Sequence, residues 1–170
     1  MITRPVALGD ARDLAALHVA NRAFLAPYDP VRPDEWYSET GQEAMLADLL
    51  RKAEEGTALP RAILDDDGAL AGRITLTGIE HGPYRNARVG YWVAAAANGR
   101  GLASRALAEV LDLAFGELGL HRVEASTLVD NLRSQAVLAR NGFTRIGLAP
   151  RYLLIAGEWR DHLLFQRIAD

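Results

Sequence analysis

Residues 88–129 carry the pattern that most restricts how this chain folds. The strand-like run "ARVGYWV" leads through "AAAANGRG" into a long amphipathic stretch, and a second strand-like run, "HRVEASTLV", follows it. Leu107, Val110, Leu111, Ala114, Phe115 and Leu118 stand at offsets 0, 3, 4, 7, 8 and 11, which is one stripe of a helix. That spacing predicts a helix over 101–118, ended by Gly119. A strand, a helix and a second strand in this order form a right-handed crossover between parallel neighbours. "ARVGYWV" is apolar on both faces, as a central strand covered on each side should be.

Around this unit the chain alternates helical and extended signals. "ITRPVAL" at 2–8 reads as a first strand, and Asp10 is placed to cap a helix through Leu14, Leu17, Ala20 and Phe24. "APYDPVRPDEWYS" at 26–38 holds three of the seven prolines and reads as an irregular loop. A second helix is expected over 40–55, with Met45, Leu46, Leu49 and Leu50 inward. "ALPRAIL" and "ALAGRITLTGIE" flank "DDDG", a hairpin signal. A short helix over 131–141 ends at Asn141-Gly142, and "FTRIGLAPRYLLIA" and "WRDHLLFQRIA" close the chain around a turn at Ala156-Gly157. The fold class is therefore mixed α/β, and 170 residues suit a single domain, 1–170, with one core.

Composition removes several chemistries. There is no cysteine, hence no disulfide, thiolate metal site or thiol nucleophile, and four scattered histidines without an HxxxH pair give no zinc site. A net charge of -3 lacks the basic field of a nucleic-acid binder. No apolar run reaches the roughly 20 residues of a bilayer span, and "MITRPVALGD" has no signal-peptide core, so a cytoplasmic location without membrane attachment is expected.

"NGRGLASRAL" at 98–107 lies between the strand and the helix and contains no acidic residue. A helix start exposes about four unpaired N–H groups and about half a positive charge. Glycines before it let the backbone approach a ligand, so this turn reads as a phosphate cradle, with Arg100 adding charge at the rim and Ser104 a hydroxyl. The GxGxxG pattern and the Lys-Ser/Thr of a P-loop are both absent; a plain glycine turn for tight packing is the alternative.

The window Asn98-Gly99-Arg100-Gly101-Leu102-Ala103 resembles the signature of the GNAT superfamily of acyl-CoA-dependent N-acetyltransferases: Gln or Arg, two residues, Gly, one residue, then Gly or Ala. Asn98 departs from the first position. "GYWV", "HRVEASTLVDNLRSQAVLARNGF" and "YLLIAGEWRDHLLF" look like segments of the ribosomal-protein alanine N-acetyltransferase (RimJ/RimL-like) branch, and the likeness spans about 80–168. The resemblance implies the GNAT fold: a central, mostly antiparallel twisted sheet of about seven strands, one parallel crossover in which the third helix joins the fourth and fifth strands, and about four flanking helices. It implies acetyl-CoA as co-substrate, with its pyrophosphate on the amides of Gly99, Arg100, Gly101, Leu102, Ala103 and Ser104. The pantetheine arm would lie between the splayed strands "GYWV" and "EASTLV", paired with backbone around Val93 and Ala94, and an N–H there would polarise the acetyl carbonyl. Asn131 is implied at the pantetheine or acetyl end, and Ser134 near the sulfur as proton donor to the departing thiolate. Both could instead only cap a helix.

Glu124, in an apolar strand, is the first candidate for the base, with a structural partnership to Arg122 or Arg145 as the alternative; His81, His121 and His162 are further candidates. With no cysteine and no GxSxG elbow, direct attack in a ternary complex is expected. The loop at 26–41 should line the acceptor side, and Asp29, Asp34, Glu35 and Glu39 against Arg32 give it an acidic lip that would attract a cationic amine. The expected acceptor is the N-terminal α-amine of a ribosomal or other protein or peptide. A small amine (polyamine, amino acid or antibiotic) and a non-catalytic acyl-CoA-binding module are the alternatives, and the chain is expected as monomer or homodimer.

Overall fold

The computed structural model describes residues 1–169. Along them run β1 (Thr3–Pro5), α1 (Ala11–Ala20), α2 (Arg22–Leu25), α3 (Glu39–Glu54), β2 (Ala58–Leu64), β3 (Leu70–Glu80) and β4 (Asn86–Val93). After these come α4 (Leu102–Asp112), β5 (Arg122–Leu128), α5 (Leu132–Arg140), β6 (Thr144–Ile155) and β7 (Glu158–Ile168). The strands form one seven-stranded sheet in the order β1-β2-β3-β4-β5-β7-β6. Every neighbouring pair is antiparallel except β4–β5, which α4 connects as a parallel crossover. Mixed α/β class, seven strands and one parallel pair are as the sequence predicts; the helices number five rather than about four.

Strand alternation sorts the core onto two faces. Ile63, Ile74, Leu76, Val89 and Val123 pack with Leu107 and Val110 of α4, and these side chains are almost wholly buried. Ala62 on the opposite face packs with Leu14 of α1 and Leu46 of α3. At about 1.5–3 kcal/mol per large apolar side chain, the α4 face is where most of the fold's hydrophobic stabilisation lies.

The departures from expectation have local causes. The first strand spans only Thr3–Pro5: the next pair is incomplete, because the Val6 N–H reaches the Pro60 carbonyl only at 3.4 Å and Pro60 has no N–H to return. Asp10 does not cap α1: its carboxylate grips Arg4 with two bonds of 2.6 and 2.9 Å and accepts the Ala7 N–H at 2.8 Å. A bidentate guanidinium outcompetes a single capping amide. The first helix stops at Ala20 instead of reaching Phe24, because Asn21 folds its side chain back onto the Leu17 carbonyl at 2.8 Å and accepts the Ala95 N–H at 2.7 Å. The helix expected over 101–118 is α-helical to Asp112 and ends in a wider π turn, Leu113–Glu117. At the closing hairpin Ala156 and Gly157 both adopt positive φ, 50° and 85°, the two-residue geometry that suits strand twist.

Candidate active site

The sheet opens at its parallel pair. β4 and β5 are in register only over Asn86–Arg122, Ala87–Val123 and Arg88–Glu124; beyond these they part. The wedge between them encloses a cavity of about 190 Å³, bordered by Gly90, Tyr91, Ser126, Asn131, Ser134 and His162. Backbone direction follows from the β3–β4 register. The Ala94 N–H donates to the Ala71 carbonyl at 2.8 Å, and a Cβ on Gly72 would collide with the Trp92 carbonyl, so residues 92 and 94 address β3. Alternation turns the N–H and C=O of Tyr91 and Val93 the other way, into the wedge. Ala94 therefore cannot serve as the free donor expected of it: its N–H is held by Ala71, and its carbonyl accepts from Ala97 and from Asn98 Nδ2.

At the mouth of the wedge, α4 begins without any side-chain cap. Gly99 and Gly101 adopt φ of 79° and 74°, and a Cβ on either would meet nothing within 4 Å. Glycine is needed here for the left-handed turn and not for tight packing against the protein, which disposes of the packing alternative. The turn leaves the first amides of the helix facing outward with no protein acceptor capping them. Arg100 is not a free rim charge: it pairs with Asp66 at 2.9 Å, and Arg105 holds the other oxygen at 3.0 Å. Those two guanidiniums, Arg105 first, hold the Asp66 carboxyl below its usual range. The Ser104 hydroxyl accepts from Asn141 Nδ2 at 3.1 Å and so ties α4 to α5. Leu102 is buried in the core, while Ala103 borders a second cavity beside Asn98, Asn131 and Ser134.

Asn131 caps α5, its side-chain oxygen accepting the Ser134 N–H at 3.1 Å. Capping uses one side-chain atom of a residue that also borders the cavity, so the two roles weighed for it are compatible. Ser134 Oγ lies 2.9 Å from the Tyr91 hydroxyl, which also reaches the Ser134 carbonyl at 3.3 Å. Burial pushes the Tyr91 phenol up to about 12, opposed in part by its bond to Ser134, so it stays protonated at neutral pH. Tyr91 went unremarked in the sequence; the available signal was a phenol inside an otherwise apolar strand, where its hydroxyl must find a partner.

Glu124 is not part of this group. It sits at the last paired position of β5 and borders a separate cavity of about 110 Å³, with Arg122 4.0 Å and the Tyr84 hydroxyl 3.5 Å away. His162 does border the wedge, buried, with Nδ1 3.0 Å from the Arg160 carbonyl. A carbonyl only accepts, so Nδ1 is the donor in this contact, and in the neutral ring that leaves Nε2 as the acceptor. His81 and His121 lie away from the cavity, in the turn before β4 and at the start of β5.

Across the sheet, a larger cavity of about 370 Å³ lies under α1 and the 26–32 loop, bordered by His18, Asp29, Arg73, Thr75, Gly90 and Trp92. It meets the wedge at Tyr28, Gly90 and Tyr91, which border both. Of the four acidic residues expected as a lip, Asp29 alone borders this side. Asp34 pairs with Arg22 at 2.9 Å in solvent, Asp29 lies 3.6 Å from Arg32, and Glu35 and Glu39 border neither this cavity nor its neighbour over Arg32. Among the described residues no cluster of three or more His, Asp or Glu could hold a metal ion, and no helix is long and apolar enough to cross a membrane.

The family model described as "Acetyltransferase (GNAT) domain" matches residues 1–144. The chain belongs to the GNAT family of acetyltransferases. Its relatives include the Bacillus subtilis protein named "Probable N-acetyltransferase YjcK", 34% identical over 94% of this chain and 88% of that one. The ribosomal protein uS5-alanine N-acetyltransferase of Escherichia coli is 32% identical over 96% of this chain and 85% of its own length. Among solved structures, Mycobacterium smegmatis RimJ in complex with CoA-disulfide superposes with a TM-score of 0.94 at 38% identity, covering 98% of this chain and 81% of that one. The chain is thus an N-acetyltransferase of the GNAT fold, as the "NGRGLA" window and the three flanking segments suggested.

Proposed function

We propose that residues 1–170 form one acetyl-CoA-dependent domain that acetylates the N-terminal α-amine of a protein or peptide, a ribosomal protein foremost, in the cytoplasm. The E. coli relative, named for action on the alanine of uS5, supports the acceptor class, and the RimJ complex with CoA-disulfide supports the carrier. The observation that carries the reading is the continuity of three parts: an uncapped helix start, a wedge with inward-facing amides, and a Tyr91–Ser134 hydroxyl pair at its inner end.

Acetyl-CoA supplies a thioester carbonyl and a thiolate leaving group. The amides of residues 99–104 would hold its pyrophosphate, with positive φ at Gly99 and Gly101 setting their direction. The Val93 N–H, turned into the wedge, polarises the carbonyl; a fixed donor of this kind contributes roughly 3 kcal/mol. Asn131 and Ser134 border the inner end, and the Tyr91 hydroxyl donates to the departing sulfur while Ser134 holds it in place. His162 Nε2, in preference to Glu124, takes the proton from the amine. An α-amine, with pKa about 8, needs only modest help from such a base, whereas a lysine amine at about 10 would need more. The nitrogen–carbon bond forms, the carbon–sulfur bond breaks, and the proton lost by nitrogen is balanced by one gained by sulfur.

Initial rates with varied acetyl-CoA and an N-terminal peptide test this. Intersecting double-reciprocal plots and a His162→Gln variant slowed at least about a hundredfold in kcat are expected. Parallel lines, or acetyl-CoA binding without turnover on any peptide or small amine, would refute it.

A further inference from the structure

The cavity on the acceptor side is built around a cation. Strand alternation points Arg73, Thr75 and Thr77 of β3 into it, and Gly90, the cross-strand partner of Thr75, leaves open space where a Cβ would stand. Arg73 is half-buried in the cavity wall, and its guanidinium donates to the Met45 sulfur, a weak acceptor. Among the described residues no carboxylate lies within 4.0 Å of it. A guanidinium drawn partly out of water without a carboxylate partner is a costly group to retain. Three further polar atoms are orphaned in the same wall: among the described residues His18 Nε2, Thr75 Oγ1 and Trp92 Nε1 have no hydrogen-bond partner, the first two on residues only 4% and 7% exposed.

The charges around this space do not cancel. Arg73 and Arg32 are positive, and Arg32 is stacked on Trp36 at 4.2 Å. Among the described residues the carboxylate facing them is Asp29, which lies 3.6 Å from Arg32 and is pushed up by burial, while His18 is held neutral by burial first and then by Arg73 and Arg32. With two guanidiniums set against one carboxylate the space is net positive and donor-rich, a combination suited to a carboxylate.

We propose that this cavity is a subsite for a carboxylate carried by the acceptor, with Arg73 and the Thr75 hydroxyl as its donors. Gly90 and Tyr91 border both this cavity and the wedge, so an acceptor anchored here presents its amine toward Val93. The inference rests on the acetyltransfer reading and narrows it: the acceptor is either a peptide with an acidic side chain next to its N-terminus or a small amino acid whose own carboxylate docks.

Calorimetry on the protein saturated with coenzyme A distinguishes these. The titrants are a peptide beginning Ser-Asp, the same peptide beginning Ser-Asn, free serine, and serinamide. At least tenfold tighter binding of one acid over its amide is expected, and the pair that shows it identifies the source. Arg73→Gln should abolish that preference, with circular dichroism confirming its fold; Thr75→Val, which leaves the charge in place, should reduce it several-fold. Equal binding within each pair by the unaltered protein overturns the subsite, whatever the variants do. A preserved preference with no acetyl transfer to any of the four would overturn the proposed reaction and leave the subsite standing.

Discussion

Replacing Tyr91 by Phe isolates the chemistry at the inner end of the wedge. The ring stays, and with it the packing of β4 against α5; what goes is a hydroxyl 2.9 Å from Ser134 Oγ and 3.3 Å from the Ser134 carbonyl. Losing a buried hydrogen bond of this kind costs the fold about 1 kcal/mol, so the variant should melt within several degrees of the parent. Losing a donor to a departing sulfur costs more, on the order of 3 kcal/mol, or 10²–10³ in kcat. The carrier is gripped by backbone amides that the substitution leaves alone, so KM for acetyl-CoA should stay within about twofold. Thiol release with a saturating N-terminal peptide, read by a thiol-reactive dye near neutral pH, gives both constants. Ser134→Ala should fall into the same range, and the double variant should lose little beyond the worse single one, because the two hydroxyls act as one unit. A Tyr91→Phe enzyme retaining kcat within about threefold would show that Tyr91 does not assist the leaving group.

Other parts of the account can be checked independently. Gly101→Ala forces a β-carbon onto φ of 74°, a strain of roughly 1–2 kcal/mol; urea midpoints should drop accordingly, and coenzyme A should bind several-fold more weakly. A Cβ at Gly90 meets nothing within 4 Å, and alternation turns it toward Arg73, so with Gly90→Leu the peptide KM should rise at least about tenfold while KM for acetyl-CoA changes far less, as steady-state rates would show. Burial first, then Arg73 and Arg32, lower His18 to about 4 from 6.5. Its unfolded form therefore binds more protons between those values, and stability should climb with pH from about 4 to 6.5, by up to about 3 kcal/mol, then level off. Denaturant melts at pH 4.5 and 7 should show that slope reduced in His18→Phe.

What could be read from the sequence divides along physical lines. The α4 stripe through Leu107 and Val110 and the strands on either side gave the parallel crossover, because burial imposes its period directly on residue order. Gly99 and Gly101 marked the turn for a related reason: their left-handed backbone excludes most other residues. The active-site partnerships were harder. Ser134 and Asn131 were visible as a local pair, but Tyr91 joins Ser134 from 43 residues away, and only the register of β4 against β3 brings it there. Ala94 shows the same limit: its donor is used up by Ala71, a fact of pairing that no local pattern encodes. The charge of the acceptor side was misjudged for a third reason. Asp34 in the loop is neutralised in solvent by Arg22, whereas Arg73, hidden in a β3 strand that reads as ordinary sheet, faces the cavity.

The central claim is that a coenzyme A diphosphate sits on the amides that open α4 while its arm enters the β4–β5 wedge. A 15N-labelled NMR titration with coenzyme A reads this directly. The account predicts the largest shifts at the amides of Gly99, Gly101 and Ser104, with those of Tyr91 and Val93 moving in the same titration. Silence at all five while other amides shift and saturate would contradict it.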